Sequence, residues 1–235
     1  QSALNEIGRL LAAGQEFDPA QSDRIFHVHG SDNMSELILP ALCSELSAIQ
    51  SGIRILWEPA SYATPMALQR GDVDLGVLPR FTPPEGLLSE SLYEDNYVMV
   101  ARHGLFSGPV SLADFCAAPQ VILGYGRSTI EDLVDQAVAR AKLRRYSQIA
   151  VTSFSQIAAI VAATDHIAIF PVRVAKRYAP TLATHALPFT LPQYSLHLCS
   201  HLRSESDPGM QWLRSVFRQR LQGQDLTSVK RHLST

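Results

Sequence analysis

Four polar turns hold the side chains of this sequence that are best suited to bind a small molecule. Each turn follows an apolar stretch and precedes a helical pattern, so its hydroxyls and backbone N–H groups fall at a helix N-terminus. The partial positive charge at that position favours an anion or a polar head group. The turns are residues 31–33, 61–64, 125–128 and 152–155. Any single turn is most simply explained by capping of the helix that follows it. Two turns that bind the same ligand would instead form a binding site.

The first turn lies between a predicted strand and a predicted helix. Residues 24–29 alternate between two faces, with Phe26 and Val28 on one face and two histidines on the other, which predicts a strand. Residues 34–49 place apolar side chains at spacings of three and four, which predicts an amphipathic helix. The candidate N-cap residues of this helix are Ser31, Asp32 and Asn33.

Strand and helix patterns alternate through the first part of the chain. A strand at 53–58 leads into a helix that Thr64 is expected to cap and Pro65 to open. This helix ends at Gly71, and another strand follows at 73–78. Two strand-helix-strand units in succession predict a parallel, doubly wound sheet. Two further strands are predicted at 88–92 and 97–101, and the second is apolar enough to be a central strand.

After Arg102 the alternation begins again, which predicts a second α/β half. Its predicted helices are residues 112–115, 129–142, 153–163 and 172–178, and the third is expected to begin with Ser153 and Gln156 as a capping pair. Its predicted strands are residues 120–123, 149–151 and 167–170. A strand at 196–202 and a last helix capped by Asp207 are expected to return to the first half. The predicted fold class is therefore α/β, with two Rossmann-like subdomains and a ligand cleft between them.

The predicted domain organisation has four parts. Residues 17–101, together with residues 196–223, form subdomain I, and residues 102–195 form subdomain II. Residues 1–16 have a short helical pattern and are interpreted as the end of a longer helix. Residues 224–235 form a polar C-terminal tail.

Composition limits the class of protein. A hydrophobic content of 46% and a charged content of 18% are ordinary for a globular protein. The net charge of −2 gives no indication that this chain itself binds nucleic acid. No apolar run reaches the ~20 residues that cross a bilayer, and the N-terminus lacks a signal-peptide pattern, so a cytoplasmic protein without a membrane partner is expected. Cys43, Cys116 and Cys199 are predicted to be buried, reduced thiols.

Patterns typical of enzymes, cofactors and metals are incomplete. Gly124 and Gly126 lack the third glycine and the acidic partner of a dinucleotide fingerprint. No P-loop lysine follows a glycine-rich turn, and there is no nucleophile elbow. The candidate metal ligands His27, His29, His197 and His201 have no matching cysteine or carboxylate cluster. We therefore predict a protein that is not an enzyme and holds neither cofactor nor metal.

A series of short motifs follows the same order along the chain as in a known family. The motifs are Phe17-Asp18-Pro19, Arg24-Ile25-Phe26, Ser31-Asp32, Leu39-Pro40, residues 71–76, residues 103–105 and residues 167–171. Together they resemble the effector-binding domain of LysR-type transcriptional regulators over residues 17–222. Within that family they are most similar to the branch of nodulation and aromatic-catabolism regulators. The resemblance implies a type 2 periplasmic-binding-protein-like fold and a homodimer or homotetramer. It also implies that the two predicted subdomains are regulatory and that residues 1–16 are the remnant of a linker helix. DNA would be bound only through an N-terminal winged helix-turn-helix outside this sequence.

The resemblance further implies where a small organic effector binds. Carried over by position, the cleft-lining residues are Ser31, Asp32, Ser61, Tyr62, Tyr125, Thr152, Ser153, Phe154, Phe170 and Pro171. The carboxylate of Asp32 would repel an anionic ligand. It either caps its own helix or accepts a hydrogen bond from a ligand hydroxyl or amine. The aromatic side chains in this set suit a small aromatic acid or a phenol.

Two functions are consistent with these features. In the first, the chain is the sensor domain of a transcription regulator. In the second, it is a free-standing solute receptor of the same fold that feeds a transporter. The unpaired cysteines, the missing signal pattern and the helical remnant in residues 4–11 favour the first function.

Overall fold

The computed structural model describes residues 17–79, 85–124 and 129–222, and these divide into two compact units. Unit 1 contains residues 17–30, 34–79, 85–93 and 195–222. Unit 2 contains residues 31–33, 94–124 and 129–194. The sequence predicts crossovers near residues 102 and 195, and the two units divide at 93–94 and 194–195. The predicted linker remnant at 1–16 and the predicted tail at 224–235 lie outside the described residues.

The described residues form ten strands and seven α-helices. The strands are β1 (Ile25–Gly30), β2 (Arg54–Pro59), β3 (Leu75–Pro79), β4 (Leu87–Asp95), β5 (Tyr97–Arg102), β6 (Pro119–Leu123), β7 (Tyr146–Val151), β8 (Ala168–Pro171), β9 (Leu182–His185) and β10 (Tyr194–His201). The helices are α1 (Asp32–Ala48), α2 (Thr64–Arg70), α3 (Leu112–Ala117), α4 (Thr129–Arg140), α5 (Phe154–Ala163), α6 (Val172–Arg177) and α7 (Pro208–Gln222). A single 3-10 turn, Leu202–Ser204, follows β10.

Unit 1 is built on a five-stranded sheet with the order β2-β1-β3-β10-β4. Strand β1 is parallel to both β2 and β3, as the two strand-helix-strand units predict. Strand β10 pairs with β3 in the antiparallel direction. The alternation predicted for β1 is confirmed, because Phe26 and Val28 are fully buried while the residues between them are partly exposed. The carboxyl ends of β1 and β2 therefore meet at one edge of this sheet.

Unit 2 contains two smaller sheets. Strand β5 lies between β8 and β9 and is antiparallel to both. Strands β6 and β7 pair in parallel, and a parallel bridge from Gln120 to Ile167 extends from β6. Met99 and Ala101 enter one hydrophobic cluster and Val100 enters another, so both faces of β5 are covered. This explains the continuous apolar run of β5, which marked it as a central strand.

Helix boundaries confirm some capping predictions and correct others. The carboxylate of Asp207 accepts the N–H of Met210 at 3.1 Å, which confirms the predicted cap of α7. Gly71 ends α2 with a φ of 82°, a left-handed conformation that glycine adopts without strain. The prediction that Thr64 caps α2 is wrong: Ala63 is the N-cap residue, and Thr64 is the first helical residue with a fully buried side chain.

The cysteine prediction is correct in part. Cys116 and Cys199 are buried free thiols, and burial raises the pKa of Cys199 to about 11. Cys43 is exposed on α1, so the prediction that all three thiols are buried is wrong. Within the described ranges, no helix is both long and apolar enough to span a bilayer.

Candidate functional site

The turn between β2 and α2 presents two of the predicted site residues in unit 1. The buried hydroxyl of Thr64 accepts the N–H of Ser61 at 2.9 Å, and the hydroxyl of Ser61 accepts the N–H of Ala63 at 3.2 Å. These bonds hold the turn while the side chain of Tyr62 remains 62% exposed. Ser61 and Tyr62 therefore lie on a defined polar turn at the carboxyl edge of the sheet, where open α/β sheets bind their ligands.

A histidine that the sequence analysis did not assign to the site supports this turn. The Nδ1 atom of His29, near the end of β1, lies 3.0 Å from the hydroxyl oxygen of Thr64. Its Nε2 atom lies 3.5 Å from a carboxylate oxygen of Glu58. Because the Thr64 oxygen already accepts the N–H of Ser61, its own proton can be donated to Nδ1. The tautomer with the proton on Nε2 then satisfies both contacts of His29.

The turn before α5 presents the predicted site residues of unit 2. Ser153 is the N-cap residue, and its hydroxyl accepts the N–H of Gln156 at 3.2 Å, as predicted. The N–H of Thr152 donates in return to the side-chain oxygen of Gln156 at 3.3 Å. These reciprocal bonds form a capping arrangement that fixes the entry into α5. The side chain of Thr152 is left exposed beside the helix N-terminus.

Asp32 caps α5 rather than acting only on the helix that it begins. One carboxylate oxygen accepts the N–H of Phe154 at 3.1 Å, and the other accepts the N–H of Ser155 at 2.9 Å. A carboxylate at a helix N-terminus is favourable because it meets both the N–H donors and the positive end of the helix dipole. No local pattern in the sequence indicates this contact, since it joins residues more than 120 positions apart.

Asn33 is held in unit 2 by a cation from α6. The guanidinium of Arg177 donates to the backbone oxygen of Asn33 at 3.1 Å and to its side-chain oxygen at 3.3 Å. The side chain of Asn33 is 3% exposed. Residues 31–33 thus contribute both a buried amide and a carboxylate to unit 2. No local pattern in the sequence indicates the role of Arg177 in this arrangement.

The predicted aromatic residues of unit 2 lie in its core. The rings of Phe154 and Phe170 pack edge to face at 5.2 Å, and Phe170 also contacts the ring of Tyr178 at 5.8 Å. Phe170 is fully buried and Phe154 is 6% exposed, so neither ring offers a ligand-accessible face in this conformation. Pro171 is also buried, and it is the N-cap residue of α6. The ring of Phe170 belongs to the core of unit 2, and its place in the lining of a ligand cleft stays a prediction.

The predicted polar site residues that the structure describes fall into two groups, one in each unit. Unit 2 brings Asp32 to the turn that contains Thr152, Ser153 and Phe154, and Ser31 directly precedes Asp32. Unit 1 holds Ser61 and Tyr62. Tyr125 lies outside the described residues. A ligand shared by these groups remains a prediction. Among the described residues, no cluster of three or more potential metal ligands is present.

Residues 20–222 match the family of the LysR substrate binding domain. The chain therefore belongs to this family and is the effector-binding domain of a LysR-type transcriptional regulator. It is 26% identical over 223 residues to nodulation protein D 1 of Rhizobium tropici, covering 93% of this chain and 72% of that protein. It is 30% identical over 225 residues to the HTH-type transcriptional activator NagR of Ralstonia sp, covering 92% and 73% respectively.

A solved structure supports the same assignment. The crystal structure of a probable transcriptional regulator from Pseudomonas aeruginosa matches with a TM-score of 0.78 and 26% identity, covering 92% of this chain and 72% of that one. The predicted family and fold class are both confirmed. NagR is named as a transcriptional activator and the Pseudomonas aeruginosa protein as a probable transcriptional regulator, so these two matches give no support to the alternative of a receptor that feeds a transporter.

Proposed function

We propose that this domain senses a small aromatic effector and passes the signal to a DNA-binding part of the same protein. NagR is named as an HTH-type activator, and this chain covers 73% of its length. By analogy, DNA would be bound by a helix-turn-helix and not by the domain described above. Such a regulator would act in the cytoplasm, where its DNA target lies, and would catalyse no reaction.

Effector binding is best supported by two exposed hydroxyl groups, each of which follows the carboxyl end of a parallel strand. Thr152 follows β7, which is parallel to β6, and Ser61 follows β2, which is parallel to β1. Both residues are exposed, and both turns are fixed by internal hydrogen bonds. A rigid turn loses little conformational entropy when a ligand binds, which favours its use as a recognition element.

We assign direct contact with the effector to Thr152, Ser61 and Tyr62. The hydroxyls of Thr152 and Ser61 would bond the polar end of the ligand, and the exposed ring of Tyr62 would pack against its apolar part. Ser31, Ser153 and Pro171 would shape the surrounding backbone, and Phe154 and Phe170 would support it from the core. Tyr125 is retained as a candidate from its sequence position.

A thermal-shift screen of the isolated domain against aromatic acids and phenols tests this function. A true effector should raise the unfolding temperature in a concentration-dependent manner, because it binds only the native state. Calorimetry should then give a stoichiometry of one per chain. If no compound in a broad aromatic panel binds, while a non-aromatic metabolite does, the proposed class of effector is wrong.

We further propose that the domain self-associates through α1 and the neighbouring strand β2. Strand β2 lies at an edge of the unit 1 sheet and exposes Leu56 by 45%. Ile49, directly after α1, is 37% exposed. An exposed apolar edge strand is a favourable surface for pairing with a second copy. A homodimer is the simplest assembly, and a homotetramer would use a further surface.

A further inference from the structure

Every backbone donor in the first turn of α5 has an acceptor from this chain. The N–H groups of Phe154 and Ser155 donate to the two carboxylate oxygens of Asp32, at 3.1 and 2.9 Å. The N–H of Gln156 donates to the hydroxyl of Ser153 at 3.2 Å. The position at which a helix N-terminus ordinarily receives an anion is therefore already taken by the carboxylate of Asp32.

An incoming carboxylate would meet two obstacles at this turn. It would have to displace Asp32 from both N–H groups, and it would then lie close to a second negative charge. An uncharged group that bonds the exposed hydroxyl of Thr152 leaves Asp32 in place and meets no charge repulsion, whereas a carboxylate bound to the same hydroxyl would still be repelled by Asp32. The internal carboxylate thus opposes one class of ligand without opposing the other.

We propose that Asp32 sets the charge selectivity of the effector site, so that the turn before α5 rejects aromatic carboxylates and accepts uncharged aromatic ligands. This inference rests on the proposed function, since it specifies the class of effector for the same site. Asp32 acts here as a specificity-determining residue that fills the anion position of the helix.

The nearby cation does not restore affinity for a carboxylate. The guanidinium of Arg177 donates to the backbone and side-chain oxygens of Asn33, the residue next to Asp32. A ligand carboxylate that took the same N–H donors of Arg177 would remove them from the buried side chain of Asn33. Breaking such a bond leaves a buried acceptor unsatisfied, which offsets the attraction.

Removal of Asp32 should create a binding position for a free carboxylate. In Asp32→Ala, we expect about 100 mM sodium acetate to raise the unfolding temperature by about 2–5 °C, against less than about 1 °C for the wild type. Acetamide has nearly the same shape without the charge and should have little effect on either protein. Sodium chloride at equal ionic strength controls for screening, and Asp165→Ala removes an exposed carboxylate of unit 2 that pairs with Arg102.

Amide NMR locates the response. Titration of acetate into Asp32→Ala should shift the backbone amides of Phe154 and Ser155 in a saturable manner and should leave those amides unchanged in the wild type. If Asp32→Ala does not fold, Asp32→Asn keeps the side-chain volume and removes the charge. Equal responses of wild type and variant to acetate would overturn the assignment of Asp32 to the anion position.

Matched aromatic probes test the selectivity itself. Benzamide and benzoate share one shape and differ in charge, so the wild type should bind benzamide at least about tenfold more tightly, and Asp32→Asn should reduce that ratio toward one. Tighter binding of benzoate to the wild type would overturn the inference. If acetate rescues Asp32→Ala but no aromatic compound binds the wild type, the proposed effector function fails while the placement of Asp32 stands.

Discussion

The guanidinium of Arg145 lies 2.6 Å from the carboxylate of Glu131, and the two side chains are only 4% and 3% exposed. Glu131 also accepts the N–H of Leu123, the last residue of β6, at 3.1 Å. The same guanidinium forms a second ion pair of 2.6 Å with Asp135, whose side chain is 62% exposed. One arginine thus joins a buried and an exposed acid of α4, and the buried partner connects α4 to the end of β6.

Loss of the buried acid should destabilise unit 2 strongly. Glu131→Gln leaves the charge of Arg145 buried with one ionic partner fewer, so the free energy of unfolding should fall by about 3–5 kcal/mol. Asp135→Asn removes an exposed partner of the same guanidinium and should cost no more than about 1 kcal/mol. Urea denaturation followed by circular dichroism measures both values. Equal losses in the two variants would contradict this account of the ion-pair network.

The buried hydroxyl of Thr64 should matter for the turn that holds Ser61 and Tyr62. Thr64→Val keeps the side-chain shape but deprives the N–H of Ser61 and the ring of His29 of their partner. The expected loss is about 1–3 kcal/mol, the cost of leaving partly buried polar groups unsatisfied. Thr190→Val, at an exposed position, is the matched control and should change stability by less than about 0.5 kcal/mol. Indistinguishable unfolding curves for the two variants would show that the turn does not depend on Thr64.

Local patterns were sufficient to predict most of the elements in the described residues. Strand β1 was recognisable from the alternation of apolar residues, because Phe26 and Val28 are buried on one face of the strand. Strand β5 was recognisable from its continuous apolar run, because both of its faces are covered. Strand β9 was missed because only Leu182 of its four residues is buried, whereas the equally short β8 is buried throughout and therefore appears as an apolar run. A segment this short contains too few positions to define a period.

The candidate site was less predictable because its contacts are tertiary. Ser153 and Gln156 form a local cap and were recognised from their spacing. The spacing of Thr64 and Pro65 suggested a cap as well, but Thr64 instead bonds Ser61 and His29 from inside the helix. The same limitation applies to Asp32. Its residue type and position predict a cap of α1, but its carboxylate bonds the first N–H groups of α5. Residue type predicted the chemistry of these side chains but not their partners.

Asp95 should give a characteristic pH dependence of stability. Its carboxylate is 6% exposed and accepts the N–H groups of Asn96 and Arg173 at 2.8 and 3.0 Å. Burial raises the pKa of Asp95 above its ordinary value of 3.8, against the opposing effects of these bonds and of the charges of Arg173 and Lys176. The native state therefore binds the proton more tightly than the unfolded chain, so the contribution of Asp95 to stability is greatest below pH 3.8 and declines as the pH rises through the raised pKa.

Comparison with Asp95→Asn isolates this effect, because the variant cannot titrate at that position. The difference in unfolding free energy, wild type minus variant, should decrease from about pH 4 to about pH 7. Groups present in both proteins cancel, including Glu90, whose pKa is lowered by Arg218. Urea titrations at a series of pH values measure the difference. A difference that increases with pH would mean that the carboxylate is stabilised and not penalised by its surroundings.

Charge placed on the edge strand should weaken self-association. Leu56→Glu introduces a carboxylate at the centre of β2, where the wild-type side chain is 45% exposed, so the dissociation constant should rise at least about tenfold. The monomer should remain folded, because an exposed apolar residue contributes little to the core. Tyr146→Glu, on the exposed strand β7 of unit 2, is the control and should leave association unchanged. Sedimentation velocity over a concentration series gives the result, and a wild type that stays monomeric at tens of micromolar would refute the proposed surface.

The hydroxyl of Thr152 should contribute to effector binding without contributing to the fold. Thr152→Val preserves volume and the backbone N–H that donates to Gln156, and Ser153 remains the cap of α5. The unfolding temperature without ligand should therefore change by less than about 1 °C, since no cap is lost. Loss of one ligand hydrogen bond should cost about 0.5–1.5 kcal/mol, or up to about 3 kcal/mol if a charged group is left unpaired. The dissociation constant should accordingly rise between several-fold and about a hundredfold.

Ser206→Ala is the control for this prediction: it removes an exposed hydroxyl from unit 1 and should leave affinity unchanged. Calorimetry with a confirmed effector decides the matter, because equal affinities for wild type and Thr152→Val would place the binding site elsewhere.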